Sequence, residues 1–322
     1  MSTPATVAPR RLNQGHAVLG GLVLVALIQR WLVPRLDFPA LQTWSTIFVA
    51  MVLQALPFLV GGVLLAAAIS AFVTEDRLRR LTPRSPWLGV PAAGAAGIAL
   101  PGCECASVPV AAGLVRRGVA PAVAFTFMLA APAVNPVVLV STAVAFSGRT
   151  DMVAARFAAS MATAVLVGWW WQWRGGGVPL LATSRHQHAT GWRGFADSAR
   201  HDVVHAGGFL VAGAAIAAAV SALLPRAVLD AVAGSPVLAV LALATFAFVV
   251  AMCSEADAFV AASLTMFSDT AKLVFLVVGP AMDVKLAAMG AGTFGSVFAA
   301  RFVPVVLLVA VGCAVLTGTV LL

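Results

Sequence analysis

Phe58 to Ala71 reads FLVGGVLLAAAISA, and Phe209 to Ala222 reads FLVAGAAIAAAVSA. The two stretches match at an offset of 151, with Phe58, Gly62 and Ser70 aligned on Phe209, Gly213 and Ser221. The correspondence continues along the chain. Ser85-Pro86 aligns with Ser235-Pro236 at 150, and Cys105 with Cys253 at 148. Phe127 and Pro132 align with Phe275 and Pro280 at 148, and Ala154-Ala155-Arg156-Phe157 with Ala299-Ala300-Arg301-Phe302 at 145. Alanine-rich apolar helices resemble one another by composition alone. Pro, Cys and Arg are scarcer there, and their alignment with a smoothly drifting offset points to duplication with small deletions.

Of 322 residues, 61% are hydrophobic and 10% charged, against roughly 45 to 50% and 25% in soluble globular proteins. A water-soluble fold is excluded. Apolar stretches long enough to span a bilayer of about 30 Å lie near residues 17–33, 44–73, 87–115, 121–147, 152–171, 203–224, 235–265, 271–291 and 294–322. The expectation is an all-α polytopic membrane protein of 8–10 hydrophobic segments in two internal repeats, inverted, with broken or re-entrant helices at mid-membrane. Residues 1–43 form a tail and an extra helix, 44–174 the first repeat, 175–202 a polar cytoplasmic loop, and 203–322 the second repeat. Arg10-Arg11 followed by the apolar run Ala17 to Ile28 resembles a signal peptide, but no small-residue cleavage site follows, so an uncleaved helix is expected.

The net charge of +8 comes from 20 basic and 12 acidic residues, and 18 of the basic residues are Arg. Most sit in short links between apolar stretches, as in cytoplasmic loops, so the charge orients the chain in a plasma membrane and does not mark a nucleic-acid binder. With Arg10-Arg11 inside, the link carrying Arg77, Arg79, Arg80 and Arg84 is also inside after two crossings. If 87–115 crosses once, Arg116-Arg117 falls outside and the repeats are parallel. If it re-enters, Arg116-Arg117 falls inside and the repeats are inverted. Positive-inside counting favours re-entry.

Irregular backbone at membrane depth is tolerated only where protein or a water-filled cavity covers it, so helix breaks locate the pathway. The first is Leu100-Pro101-Gly102-Cys103-Glu104-Cys105-Ala106-Ser107-Val108-Pro109, with an acid between two thiols. A regular helix sets Cys103 and Cys105 about 200° apart, whereas an extended segment turns both to one side. The flanking prolines favour the extended form. The matching break, Met252-Cys253-Ser254-Glu255-Ala256-Asp257, carries one thiol and two carboxylates. The following segments are interrupted at Ala131 to Pro136 and at Gly279 to Lys285, and Asn135 aligns with Asp283.

A carboxylate at a helix centre costs about 2.5 to 3.5 kcal/mol on insertion scales. Glu104, Glu255, Asp257 and Asp283 are therefore expected in an aqueous or protein-packed centre, with the last three as proton-carrier candidates. The plainer alternative is that they pair with Arg156, Arg301 or Lys285 and hold the bundle together. Cys103 and Cys105 read as site thiols rather than small buried hydrophobes; Cys313, in an uninterrupted run, reads as packing. His186, His188, His201 and His205 read as a solvated loop, and Trp169 to Trp171 with Trp173 as an interfacial anchor. No Walker-type phosphate loop occurs, and no cofactor is expected.

The run PGCECASVPVAAGLVRRGVAPAVAFTFMLAAPAVNPVVLV, Pro101 to Val140, resembles the ArsP-like predicted-permease family, with its Cys-x-Cys, nearby Pro, Gly-Leu-x-x-x-Gly and Pro-x-x-Asn-Pro. CSEADAFVAASL and the downstream GPAMDVKL are similar to the family's second repeat, so the resemblance covers about residues 45–320. It implies export of trivalent organoarsenicals, with Cys103, Cys105 and Cys253 as ligands for the soft solute or metal and Asn135 and Asp283 shaping the site. Glu104 and the acid-rich second half depart from the family pattern. Oxygen ligands beside thiols also suit a divalent transition metal.

The expected function is a secondary permease, not an enzyme, that moves a soft thiol-reactive solute or metal ion by rocking one repeat against the other. Two other readings stay open. One is a membrane subunit or thiol or metal sensor that needs a partner chain. The other is an intramembrane enzyme with a Cys103 or Cys105 nucleophile, for which no His stands near as base.

Overall fold

The computed structural model describes residues 39–72, 85–99, 104–174, 180, 192–223 and 234–322. The expected helix near 17–33, Cys103, Arg77 to Arg84, His186 and His188 lie outside them. Among the described residues every regular element is a helix. In chain order these are α1 (Pro39–Phe72), α2 (Pro86–Gly97), α3 (Glu104–Arg116), α4 (Pro121–Val134), α5 (Pro136–Ala145) and α6 (Thr150–Arg174). They continue as α7 (Trp192–Leu223), α8 (Pro236–Val250), α9 (Asp257–Ser263), α10 (Asp269–Ala281), α11 (Val284–Phe294) and α12 (Ser296–Leu321). Pro86, Pro121, Pro136 and Pro236 stand in first turns, where a missing N–H leaves no helical bond unmade.

Six stretches are long and apolar enough to cross a membrane: 40–72, 121–145, 150–174, 194–219, 269–294 and 296–321. Two of them are broken, between α4 and α5 and between α10 and α11. Those two are 78% and 83% buried over their most apolar windows, against 22–50% for the rest, so the breaks lie at the centre of the bundle. The chain is an all-α polytopic membrane protein. Its outer surface carries exposed Leu53, Val140, Val144, Leu308, Leu316 and Val320, as a lipid-facing belt requires.

Contacts at the helix ends fix their directions. Trp44, near the start of α1, donates from Nε1 to the Ala215 carbonyl toward the end of α7 at 3.1 Å, while Phe72 at the end of α1 packs on Trp192 at the start of α7, ring centroids 5.4 Å apart. These two helices run antiparallel. So do α6 and α12: Trp171 near the end of α6 packs on Phe298 and Phe302 near the start of α12, at 5.2 and 5.7 Å.

Both ends of the α2–α3 excursion lie at one end of the bundle. Trp169 Nε1, near the end of α6, donates to the Trp87 carbonyl in α2, and Arg116 at the end of α3 pairs with Asp202 in the early turns of α7 at 2.6 Å. α2 therefore starts, and α3 ends, at the same end of the bundle. From the opposite end, α8 follows α7, and α9 leads back to α10, whose Asp269 pairs with Arg149 before α6 at 2.7 Å. The two hairpins enter from opposite ends.

Close backbone approach seats the first hairpin. A Cβ on Gly62 of α1 would stand 2.6 Å from the Ala106 Cα of α3, so glycine is needed there for the backbones to touch, and one on Gly113 of α3 would stand 3.2 Å from the Ala66 Cα, a tight fit. On the facing side, a Cβ on Gly213 of α7 would stand 2.9 Å from the Lys285 Cα.

Three expectations change. The extended form expected for residues 101–109 is not adopted in the described part: Glu104 to Pro109 are the first six residues of α3, because packing against α1 holds a helix that tolerates an interior proline. α7 starts at Trp192, well before the apolar stretch read from 203, because Trp192, Phe195 and Ala199 recur on one face and the two aromatics pack on Phe72. Among the tryptophans, Trp173 is exposed under the Arg174 guanidinium, but Trp171 is buried in a cluster with Phe125, Phe298 and Phe302.

Candidate functional site

The hairpin tips and the two helix breaks converge. Asn135 is extended between α4 and α5; its Oδ1 accepts from Val138 N–H at 3.0 Å and its Nδ2 donates to the Ala131 carbonyl at 3.1 Å. Asp283 is extended between α10 and α11, and its Oδ1 accepts from Leu286 N–H at 2.7 Å. Two buried residues aligned at an offset of 148 thus make the same N-terminal cap on the second half of a broken span.

Lys285, on the first turn of α11, is 2% exposed and places Nζ 3.2 Å from Glu104 Oε1 and 3.5 Å from Asp283 Oδ2. Glu104 opens α3 and is fully buried. The ammonium lies within electrostatic reach of the Cys105 and Cys253 thiols, and Cys253 within reach of Cys105, Glu104 and Glu255. Neither thiol is in a disulfide.

The second buried ion pair joins Arg156 of α6 to Asp257, the first residue of α9, at 2.8 Å. The same guanidinium donates to Thr142 Oγ1 at 2.8 Å and to the Ser254 carbonyl at 3.1 Å. Thr142 Oγ1 in turn donates to the Val138 carbonyl at 2.7 Å, so one turn of α5 connects this network to the Asn135 cap. Residues 251–256 are non-helical, with Ala251 at φ 51°, as the second break requires. Glu255 is half-buried and makes no ion pair with the described residues.

The acids named from the sequence gather here, together with Cys105, Cys253 and Asn135. Asp257, Glu104 and Asp283 also pair with bases, as the structural alternative held; Arg301 is exposed and takes no part. In the sequence Arg156 and Lys285 stand only as counterions, and Thr142 and Ser254 are unmarked. A buried base in an apolar helix is a signal for the first two; nothing short of the fold marks the hydroxyls. Cys313 lies apart, half-buried against Thr163.

Burying this much charge is costly unless every atom is paired. Among the described residues, Glu104 Oε2, Asp257 Oδ1, Asp283 Oδ2, Ser254 Oγ and Arg156 Nε have no hydrogen-bond partner. Polar atoms left open at one centre suit water or a passing solute better than a sealed core. No three His, Cys, Asp or Glu side chains among the described residues stand together as a ready metal cage. An apolar cavity adjoins the centre, lined by Val108, Met128, Met282, Leu286, Phe298 and Phe302 among others.

Six crossing stretches, two hairpins from opposite ends and opened charges at their meeting point define a multi-pass membrane transport protein. A family model described as a predicted permease matches residues 40–319, and the chain belongs to that ArsP predicted permease family. UPF0718 protein YcgR of Bacillus subtilis (strain 168) is 32% identical over 250 residues, 75% of this chain and 85% of the relative. A protein of Streptococcus mutans serotype c (strain ATCC 700610 / UA159), named as a two-component membrane permease complex subunit, is 27% identical over 267 residues, 80% of this chain and 89% of the relative. No solved structure matches the chain. The chain is thus a membrane permease rather than an enzyme.

Proposed function

We propose that this permease moves a soft, thiol-reactive solute, a trivalent organoarsenical or a soft transition metal ion, through the centre where the hairpin tips meet. The supporting observation is the pair of buried thiols: Cys105 on α3 and Cys253 before α9 reach one centre from opposite ends of the bundle. Soft centres bind thiolates in preference to oxygen ligands. Cys103, outside the described residues, is the third ligand in this reading. Asn135 and Asp283 shape the site, and Glu255, which makes no ion pair with the described residues, leads Asp257 and Asp283 as proton carrier.

The halves act as inverted repeats. The antiparallel pairs α1 with α7 and α6 with α12, and hairpins that enter from opposite ends, support that reading, and rocking one half on the other gives alternating access. The end bearing Arg116, Arg117, Arg174 and Arg200 is cytoplasmic by its basic excess. The permease sits in the plasma membrane.

The test is flux of a trivalent phenylarsenical into proteoliposomes holding the purified chain alone. Transport that falls at least tenfold in Cys105→Ser and in Cys253→Ser is expected; unchanged flux in both rejects the thiol site. A second reading, a subunit that transports only with a partner chain, is favoured by the printed name of the Streptococcus mutans relative. It predicts no flux until a partner is supplied.

A further inference from the structure

We propose that the Lys285 ammonium is a built-in cation, and that its seat between Glu104 and Asp283 is the binding site of a divalent transition cation that displaces it. This deepens the proposed function and rests on its reading of the centre as the substrate site. Lys285 Nζ stands 3.2 and 3.5 Å from two carboxylates that come from different halves of the chain. Both acids are fully buried; Glu104 Oε2 has no hydrogen-bond partner among the described residues, and Asp283 Oδ2 has only the ammonium at 3.5 Å. Two carboxylates facing one ammonium leave a negative charge over. Arg156, the other buried base among the described residues, is already held by Asp257. A divalent ion in place of the ammonium balances both carboxylates.

The groups facing Lys285 are Glu104 and Cys105 from α3, Cys253 and Glu255 from the segment before α9, and Asp283 from its own break. Among the described residues no three of these groups stand together while the ammonium fills the seat, so the two carboxylates hold the ion first and a thiol closes in once Lys285 has left; oxygen with sulfur suits a borderline ion such as zinc better than magnesium or calcium, which take oxygen alone. The lysine stem is flexible and its backbone is pinned where Gly213 touches it, so the side chain can swing while the helix stays. The lysine closes the seat when no cation is present, keeping two acids from facing each other unpaired.

The chain has two lysines, Lys272 and Lys285, which makes the test direct. Zinc ion is added to the purified full-length protein in detergent, the amines are acetylated briefly, and both sites are read by mass spectrometry. Labelling of Lys285 is expected to rise several-fold at saturating zinc while Lys272 stays constant. Unchanged Lys285 labelling overturns the proposal. Equilibrium dialysis supplies the second measurement: Lys285→Met is expected to bind zinc at least tenfold more tightly than the native chain, and adding Glu104→Gln to reverse the gain. A Lys285→Met variant that binds no more tightly overturns the seat. That failure leaves the thiol reading to the arsenical flux of the two serine variants, and unchanged flux there leaves a zinc-displaced Lys285 standing, so the two can fail separately.

Discussion

Arg156 on α6 and Asp257 at the head of α9 meet 2.8 Å apart with both side chains buried, 101 residues apart in sequence. Glu104 at the head of α3 meets Lys285 in the same way across 181 residues. In each case an acid on the first residue of a returning hairpin helix is held by a base from the other half. The hairpin tips are thus fastened across the molecule.

Removing one member of such a pair strands a buried charge. Arg156→Met is expected to destabilise the protein by about 3 to 5 kcal/mol. Arg156→Met combined with Asp257→Leu should recover most of that loss. Thermal unfolding in detergent reads both, and a single variant as stable as the native chain contradicts the pairing.

The caps on the broken spans are not equal. Asn135→Ala loses a cap, about 1 kcal/mol. Asp283→Ala loses a cap and a partner of Lys285 together, so its melting temperature should fall further. The order is read from paired melting curves; the reverse order rejects the assignment of Asp283 to the lysine seat.

Helix contact through glycine makes a steric forecast. A Cβ on Gly168 of α6 falls on the Thr126 side chain of α4, so Gly168→Ala is expected to destabilise by about 1 to 3 kcal/mol. Gly61→Ala on α1 meets nothing within 4 Å and should be neutral by the same measurement.

Re-entry fixes which loops share a side. In a cysteine-free background, Arg117→Cys should react with an impermeant thiol reagent from the same side as Arg200→Cys, and Gly148→Cys from the opposite side. Opposite labelling of 117 and 200 rejects the hairpin.

The spans are legible because lipid demands long apolar runs; re-entry is argued from Arg116-Arg117 by positive-inside counting and waits on the labelling test above. Breaks announced themselves through Pro132, Pro136 and Pro280 beside Asn135 and Asp283, residues that cap helices. Local sequence misread Glu104 to Pro109 because its helix is held by contacts with Gly62 and Ala66 more than forty residues upstream. The pairing of Glu104 with Lys285 is open for a similar reason: Arg156, Arg301 and Lys285 are all candidate partners in the sequence, and only packing selects one.

The most direct measurement is protection of the two central thiols by a trivalent phenylarsenical. In a Cys103→Ser, Cys313→Ser chain, Cys105 and Cys253 are the remaining cysteines. One bound arsenical per chain is expected to shield both from alkylation together, and replacing either with serine should release the other. Thiols that alkylate independently at saturating arsenical would show that the hairpin tips do not share a soft-ligand site.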